Sequence, residues 1–173
     1  NFLLFLGAFG ASLAFGDDDT TASDTTADDD DALYNSAEYA RTDRLGDGDD
    51  TATADADNLA WFMEGGDDSL TGSSAKDFAD LGSGDDTAAM AAGNDIVRAG
   101  AGNDSVSGGN GNDLAYGGDG ADNLFGDLGD DRLSGDAGDD WLAGGSGVDF
   151  LAGGDGNDVI SGFSTLGGAT ASM

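Results

Sequence analysis

A nine-residue unit repeats thirteen times without interruption over residues 45–161, and this periodicity is the strongest constraint on the fold. With the positions of the unit numbered 1 to 9, position 4 is glycine in eleven units and position 8 is apolar in every unit. Units this short cannot bury an apolar side chain alone, so they must stack on their neighbours. The sequence therefore predicts a solenoid over residues 45–161.

Position 6 carries the candidate chemistry of the repeat, because it is aspartate in twelve units and leucine, Leu59, in the remaining one. The twelve are Asp50, Asp68, Asp77, Asp86, Asp95, Asp104, Asp113, Asp122, Asp131, Asp140, Asp149 and Asp158. A short carboxylate side chain can reach a metal ion held close to a backbone turn, and its oxygens suit a hard cation. We interpret these aspartates as metal ligands.

The local conformation follows from the residue types of the unit. Glycine tolerates positive φ and close backbone approach, and asparagine or aspartate at position 5 tolerates the left-handed region. Positions 1–6 are therefore predicted to form a turn. Positions 7–9 are predicted to form a three-residue strand with position 8 facing inward.

Units such as residues 108–116, 117–125, 144–152 and 153–161 resemble the RTX (repeats-in-toxin) calcium-binding nonapeptide, G-G-x-G-x-D-x-U-x. The resemblance implies an all-β fold, a parallel β-roll in which two nonapeptides form one coil and Ca²⁺ lies between loops of successive coils. Aspartates eighteen residues apart would then stack along two edges, seven on the edge that begins at Asp50 and five on the edge that begins at Asp77. Their six and four gaps allow at most ten calcium ions.

The resemblance also implies that glycines of the best-matching units contribute to the metal sites. These are Gly108, Gly109, Gly111, Gly117, Gly118, Gly120, Gly126, Gly129, Gly135, Gly138, Gly144, Gly145, Gly147, Gly153, Gly154 and Gly156. Two loops depart from the pattern: residues 72–77 contain Lys76 and have Ala75 at position 4, and residues 63–66 shift the glycines. We expect poorer sites at those two loops.

Composition excludes several functional classes. The 173 residues have a net charge of −31 and contain neither His nor Cys. Zinc hydrolysis and nucleophilic triads therefore lack their residues, and we expect no enzymatic activity. The charge also excludes nucleic acid as a partner.

The same composition favours calcium as the stabilising element. Without cysteines there is no disulfide framework, and stacked carboxylates repel one another across a coil spacing of about 4.8 Å. We expect the repeats to be disordered without calcium and to fold on binding it. Weak calcium modules of this kind act outside the cytoplasm, so a periplasmic or cell-surface location is predicted.

Residues 1–16 are uncharged and mostly apolar. As a short helix they would span about 24 Å, slightly less than the ~30 Å hydrocarbon thickness of a bilayer. We favour a membrane anchor that inserts Phe2, Leu3, Leu4, Phe5, Leu6, Phe9, Leu13 and Phe15. The alternatives are a cleavable signal core with a small-x-small site at residues 12–14, and a helix that lies at the membrane surface or is buried by a partner protein.

The remaining segments flank the repeats. Residues 17–44 are predicted to be an acidic linker followed by an N-terminal cap, with one or two helical turns over residues 32–44 covering the first coil. Residues 162–173 are assigned as a C-terminal tail.

The outward positions 7 and 9 predict two different outer faces. One face is mostly hydroxyl-bearing, with the pairs Thr51/Thr53 and Ser69/Thr71, a partial ladder of the kind used to bind ice. The other carries apolar and arginine side chains typical of protein interfaces. Its predicted partner-binding residues are Phe62, Phe78, Ile96, Arg98, Leu114, Tyr116, Arg132 and Phe150. Strand propensity alone is the competing explanation for these side chains.

These observations predict a calcium-binding, membrane-attached extracytoplasmic structural or interaction module. We expect it to be an accessory subunit of a larger membrane assembly or filament, which binds a protein partner or another copy of itself through the apolar face. The alternatives are a surface adhesion or secreted RTX protein, and the non-catalytic part of a secreted enzyme. Ice binding is the least favoured alternative.

Overall fold

A computed structural model describes residues 38–54, 58–162 and 170–172, and over these ranges the chain is an all-β solenoid without helices. Its fifteen strands are β1 (Arg41–Arg44), β2 (Thr51–Thr53), β3 (Leu59–Phe62), β4 (Ser69–Thr71), β5 (Phe78–Ser83), β6 (Thr87–Ala89), β7 (Ile96–Ala101), β8 (Ser105–Asn110), β9 (Leu114–Asp119), β10 (Asn123–Leu128), β11 (Arg132–Ala137), β12 (Trp141–Ala143), β13 (Phe150–Asp155), β14 (Val159–Ser161) and β15 (Thr170–Ser172).

The strands alternate between two parallel sheets, so the chain coils through about seven turns. Sheet A contains the eight odd-numbered strands and sheet B the seven even-numbered strands. Neighbouring strands are offset by eighteen residues, as where Gly100 of β7 lies opposite Gly118 of β9. The predicted parallel solenoid and its eighteen-residue step are confirmed, while the count of thirteen units stays a prediction from the sequence. At the C-terminal end the step lengthens, because Phe150 of β13 lies opposite Thr170 of β15.

Seven of the strands are longer than predicted. Strands β5, β7, β8, β9, β10, β11 and β13 each have six residues, which are positions 7–9 of one unit and positions 1–3 of the next. The prediction of a turn over positions 1–6 is wrong in these units, since the turn occupies only positions 4–6. The parallel pairing continues through positions 1–3, as at Gly100 and Gly118, because glycine permits this close backbone stacking.

The interior is filled from two positions of the unit rather than one. Position 8 points inward as predicted, with Leu124 and Leu142 fully buried. Position 1 also points inward, and Met63, Leu81 and Met90 at this position are 0% exposed. From residue 108 onward position 1 is always glycine. The described coil therefore has an apolar-core segment, residues 59–107, and a glycine-lined segment, residues 108–161.

An aromatic cluster covers part of the outer face of sheet A. Tyr39 packs on Phe78 with ring centroids 6.1 Å apart, and Phe62 packs on Phe78 at 5.6 Å. Phe62 and Phe78 are buried at 8% and 0% exposure, and Ile96 is partly buried against them. The prediction that Phe62 and Phe78 belong to an open partner surface is therefore wrong, because Tyr39, which precedes the repeats, packs on this part of the face.

The ends of the solenoid differ from the predicted boundaries. Strand β1 pairs with β3 before residue 45, so the helical turns expected over residues 32–44 are wrong for the described residues 38–44. Strand β15 lies within the predicted tail. The proposed apolar anchor, residues 1–16, and the linker up to residue 37 lie outside the described residues. In the part of the chain that is described, no helix has the length and apolar character needed to cross a bilayer.

Candidate metal centre

The position-6 aspartates form two buried ladders, one along each edge of the solenoid. Ten of the twelve are buried, and Asp50 and Asp158, at the two ends of one ladder, are partly exposed. From Asp50 to Asp140, the backbone N–H of each position-6 residue donates to Oδ1 of the aspartate one turn later, as Asp104 does to Asp122 at 2.8 Å. Oδ1 of these carboxylates therefore links successive turns by a hydrogen bond.

The second oxygen, Oδ2, is left without a partner in most of these aspartates. Nine buried Oδ2 atoms have no hydrogen-bond partner among the described residues. They belong to Asp68, Asp86, Asp95, Asp104, Asp113, Asp122, Asp131, Asp140 and Asp149. Burying a polar atom without a partner costs free energy, so these oxygens are candidate ligands for a cation.

Asp77 is an informative exception to this pattern. Its Oδ2 accepts a hydrogen bond from the backbone N–H of Ser73 at 2.7 Å. Ser73 belongs to the loop of residues 72–77 that departs from the repeat pattern. Where the loop changes, the protein itself satisfies the carboxylate, so the unsatisfied oxygens elsewhere follow from the regular loop geometry.

Position-1 glycines line the space in front of Oδ2. A Cβ added to Gly117 would collide with Asp122 Oδ2 and would lie 2.7 Å from the carbonyl oxygen of Gly135 in the next turn. A Cβ on Gly126 would meet Asp131 Oδ2 and lie 2.6 Å from the Gly144 carbonyl. A carboxylate oxygen and a peptide carbonyl oxygen of successive turns therefore face the same small space, which we name the cradle. A Cβ on Gly135 would meet Asp140 Oδ2 and the Gly153 carbonyl in the same way. At Gly108, Gly144 and Gly153 an added Cβ would collide with Oδ2 of Asp113, Asp149 and Asp158, and we name these three spaces cradles as well.

The residues of the cradles fit Ca²⁺, which takes six to eight oxygen ligands from carboxylates, carbonyls and water. The site needs peptide oxygens, because no group of three or more His, Cys, Asp or Glu side chains within the described ranges could hold a metal alone. The aspartates and the cradle carbonyls are the groups that would hold the ion.

Comparison with protein families agrees with this geometry. The model of the RTX calcium-binding nonapeptide repeat matches in four copies, at residues 64–88, 91–124, 116–151 and 144–164, which together cover more than half of the chain. The chain belongs to this family. RTX nonapeptide repeats bind calcium, so the repeats make this chain a calcium-binding structural module. Neither a curated protein nor a solved structure matches it.

The other glycines of the RTX units have a stacking role in the structure. Positions 2 and 4 adopt positive φ, as in Gly118 at 112° and Gly120 at 134°. A Cβ on either would collide with the backbone of the turn before it, at Gly100 or Gly102. The predicted metal-site residues that belong to this stacking group are Gly109, Gly111, Gly118, Gly120, Gly129, Gly138, Gly145, Gly147, Gly154 and Gly156.

Position 5 has a role that sequence reasoning missed. Its side-chain oxygen accepts a hydrogen bond from the backbone N–H of position 5 one turn later, as Asp67 does from Asp85 at 2.9 Å and Asn94 from Asn112 at 2.9 Å. In this exposed ladder the backbone N–H of the later turn donates to the earlier turn, whereas in the buried ladder the N–H of the earlier turn donates to the later one. Left-handed φ was expected at position 5, but among the described residues at this position Asn58 alone has a positive φ. At most of the other Asp and Asn residues the side-chain oxygen accepts the hydrogen bond from the next turn instead. The recurrence of Asp and Asn at this position was the available signal.

The burial of the RTX aspartates changes their acidity. Desolvation, opposed by the hydrogen bond from the preceding aspartate, raises the pKa of Asp95 to about 7. The same cause raises the pKa of Asp86, Asp104 and Asp131 to about 6. Without a cation these carboxyls therefore hold their protons far above the usual pH range of aspartate.

Lys76 does not occupy the metal-site space of its loop. Its Nζ lies 2.6 Å from Glu38 Oε2 and 5.8 Å from the centre of the Tyr39 ring. The lysine therefore helps to hold the residues before β1 against sheet A.

Of the remaining predicted interface residues, one forms an ion pair and four line an open groove. Arg98 lies 4.0 Å from Asp80. Leu114, Tyr116, Arg132 and Phe150 line an open groove of about 180 Å³ on sheet A. Among the described cations, Arg132 is the one without an ion pair, and its guanidinium lies 6.0 Å from the centre of the Phe150 ring. The open part of the face is thus apolar with one free positive charge.

Proposed function

We propose that this chain is a non-catalytic structural module that calcium makes rigid, and that it acts outside the cytoplasm. The observation that carries the proposal is the row of nine buried Oδ2 atoms without hydrogen-bond partners among the described residues. Where calcium is shared between such an oxygen and peptide carbonyls, it removes the cost of burying the carboxylate and ties one turn to the next. The lack of His and Cys supports a non-catalytic role.

Equilibrium dialysis with calcium, followed by far-UV circular dichroism, tests this proposal. We expect several ions per chain, at most ten, bound at free calcium of roughly 10⁻⁴ to 10⁻³ M, the range of extracellular modules. The β signal should rise as the ions bind, and magnesium should not replace calcium, because it loses its water reluctantly. Absence of calcium binding at millimolar concentration would overturn the proposal.

Membrane attachment through residues 1–16 is part of the proposal. Its support is the uncharged, apolar composition of that segment beside a strongly acidic chain. The full chain should float with neutral lipid vesicles in a density gradient, whereas a chain that begins at residue 17 should stay at the bottom. Equal flotation of the two chains would contradict attachment by this segment.

The second part of the proposal is that a protein partner binds the open groove on sheet A. Apolar side chains beside an unpaired arginine suit a partner that presents an apolar and an acidic side chain together. Such a partner would make the chain an accessory subunit of a membrane assembly, and an adhesin or secreted RTX protein is the alternative. After purification from the native membrane, R132D should lose its co-purifying protein and R44D should keep it. Retention by both variants would contradict the assignment.

A further inference from the structure

The space beside the buried carboxylates is lined differently along the two ladders, by position-1 glycines from residue 108 onward and by buried apolar side chains at Met63, Leu81, Met90 and Ala99. We infer that calcium enters the six cradles lined by a position-1 glycine, in the glycine-lined segment, and does not enter the equivalent spaces of the apolar-core segment. The inference rests on the proposed calcium binding and adds which aspartates hold the ion. It assigns the sites to Asp113, Asp122, Asp131, Asp140, Asp149 and Asp158.

Strand register shows what replaces the cradle in the earlier turns. In β7, Arg98 and Gly100 lie opposite Tyr116 and Gly118 of β9, so Ala99 stacks directly on Gly117. Ala99 is 0% exposed. Its Cβ lies in the space that corresponds, one turn later, to the cradle beside Gly117. The same register relates Leu81 of β5 to Ala99, since the residues on either side of them are paired.

Larger side chains fill the same position elsewhere in the apolar-core segment. Met63, Leu81 and Met90 all belong to the central hydrophobic cluster and are completely buried. Each precedes by five residues an aspartate whose Oδ2 is unpartnered, namely Asp68, Asp86 and Asp95. Methylene groups cannot ligate calcium, and they occupy space that carbonyl or water ligands would need to complete a shell of six to eight oxygens.

The distribution of the core agrees with this division. In the apolar-core segment both position 1 and position 8 contribute buried side chains, and Tyr39, Phe62 and Phe78 form a second cluster outside sheet A. In the glycine-lined segment each unit contributes one inward apolar side chain, at position 8. Metal ions are therefore assigned to the turns where hydrophobic burial is smallest.

Paired asparagine variants on one edge test the inference. Asp86 and Asp140 have the same role in the ladder, because Oδ1 of each accepts from the backbone N–H one turn earlier, at 2.7 and 2.9 Å. Asparagine keeps that acceptor and replaces the second, charged oxygen with an uncharged NH2 group, which cannot ligate calcium. Calcium bound per chain is measured by equilibrium dialysis for the wild type, D86N and D140N, after circular dichroism in millimolar calcium has confirmed folding.

The expected result is about six ions or fewer in the wild type, an unchanged number in D86N, and in D140N a loss of one or two ions or roughly tenfold weaker binding at that site. Asp95 and Asp131 give the same comparison on the other edge, should D140N not fold. Ten ions in the wild type, or equal losses in D86N and D140N, would overturn the division while leaving calcium binding intact. No binding at all would remove the proposed function as well.

Discussion

The two oxygens of each position-6 carboxylate have different roles, and this division explains why aspartate recurs there. Oδ1 joins one turn to the next by a hydrogen bond, such as that from Asp86 to Asp104 at 2.8 Å. In nine of these aspartates Oδ2 is buried and lacks a hydrogen-bond partner among the described residues, whereas Asp77 Oδ2 accepts from the backbone N–H of Ser73. Glutamate has one more methylene, so it would not place both oxygens in these positions from the same backbone.

Position 2 has positive φ at four described residues that are not glycine, namely Glu64, Ala91, Asp127 and Asp136. Ala91 has a φ of 70°, a left-handed conformation that costs an ordinary residue about 1 kcal/mol. Its side chain is exposed, so replacing it removes little packing. We expect A91G to raise the free energy of unfolding in calcium by roughly 1 kcal/mol, measured by urea denaturation.

The matched control for this variant is A101G, at an exposed strand position without positive φ. Glycine there should lower the free energy of unfolding by about 0.5–1 kcal/mol, because it increases the freedom of the unfolded chain. The same sign of effect in both variants would contradict the assignment of strain to position 2.

Among the secondary-structure elements, the residues before β1 contribute more than the sequence suggested. Tyr39 closes the cluster with Phe62 and Phe78, and Lys76 holds the adjoining Glu38. We expect Y39A to lower the free energy of unfolding by about 3 kcal/mol, the usual cost of removing a buried aromatic side chain. Urea denaturation in calcium measures the change.

Tyr116 provides the comparison, because it lies on the outer face of the same sheet in the open groove. We expect Y116A to change the free energy of unfolding by less than about 1 kcal/mol. A loss in Y116A as large as that in Y39A would mean that the Tyr39 cluster adds nothing specific to the stability of sheet A.

The elements also show what the sequence could predict. The eighteen-residue spacing of the aspartates was enough to predict two edges and parallel pairing, because each turn must repeat the one before it. The inward direction of Met63 and Leu81 was not predictable from the nonapeptide pattern, which has glycine at position 1 and therefore no side chain to orient. The burial of Phe62 and Phe78 was missed because it depends on Tyr39, a residue outside the repeat.

For the whole molecule, the buried carboxyls predict an unusual dependence on pH. The folded pKa values of Asp86, Asp95, Asp104 and Asp131, about 6 to 7, lie above the ordinary value of 3.8. A raised folded pKa means that the folded state binds more protons, so stability is present at low pH and is lost as pH rises through 6 to 7. Repulsion among the charges of a chain at −31 acts in the same direction.

Calcium should weaken this dependence, because at carboxyls of the glycine-lined segment, such as Asp131, it binds the ionised form and competes with protons. In chelator, we expect the urea midpoint of the apolar-core segment to fall between pH 5 and pH 8. In millimolar calcium, the midpoint should fall less over the same interval, because calcium binding grows as the carboxyls of the glycine-lined segment ionise. A midpoint that falls equally in both conditions would show that the ion does not bind at the buried carboxylates.

The most direct test of the central claim is amide hydrogen exchange of residues 108–161, measured in excess chelator and in millimolar calcium at neutral pH. If calcium bridges the unpartnered oxygens of successive turns, these amides should be strongly protected with calcium and should exchange nearly freely without it. Equal protection in the two conditions would contradict the account, because it would show that the glycine-lined turns hold together without a metal ion.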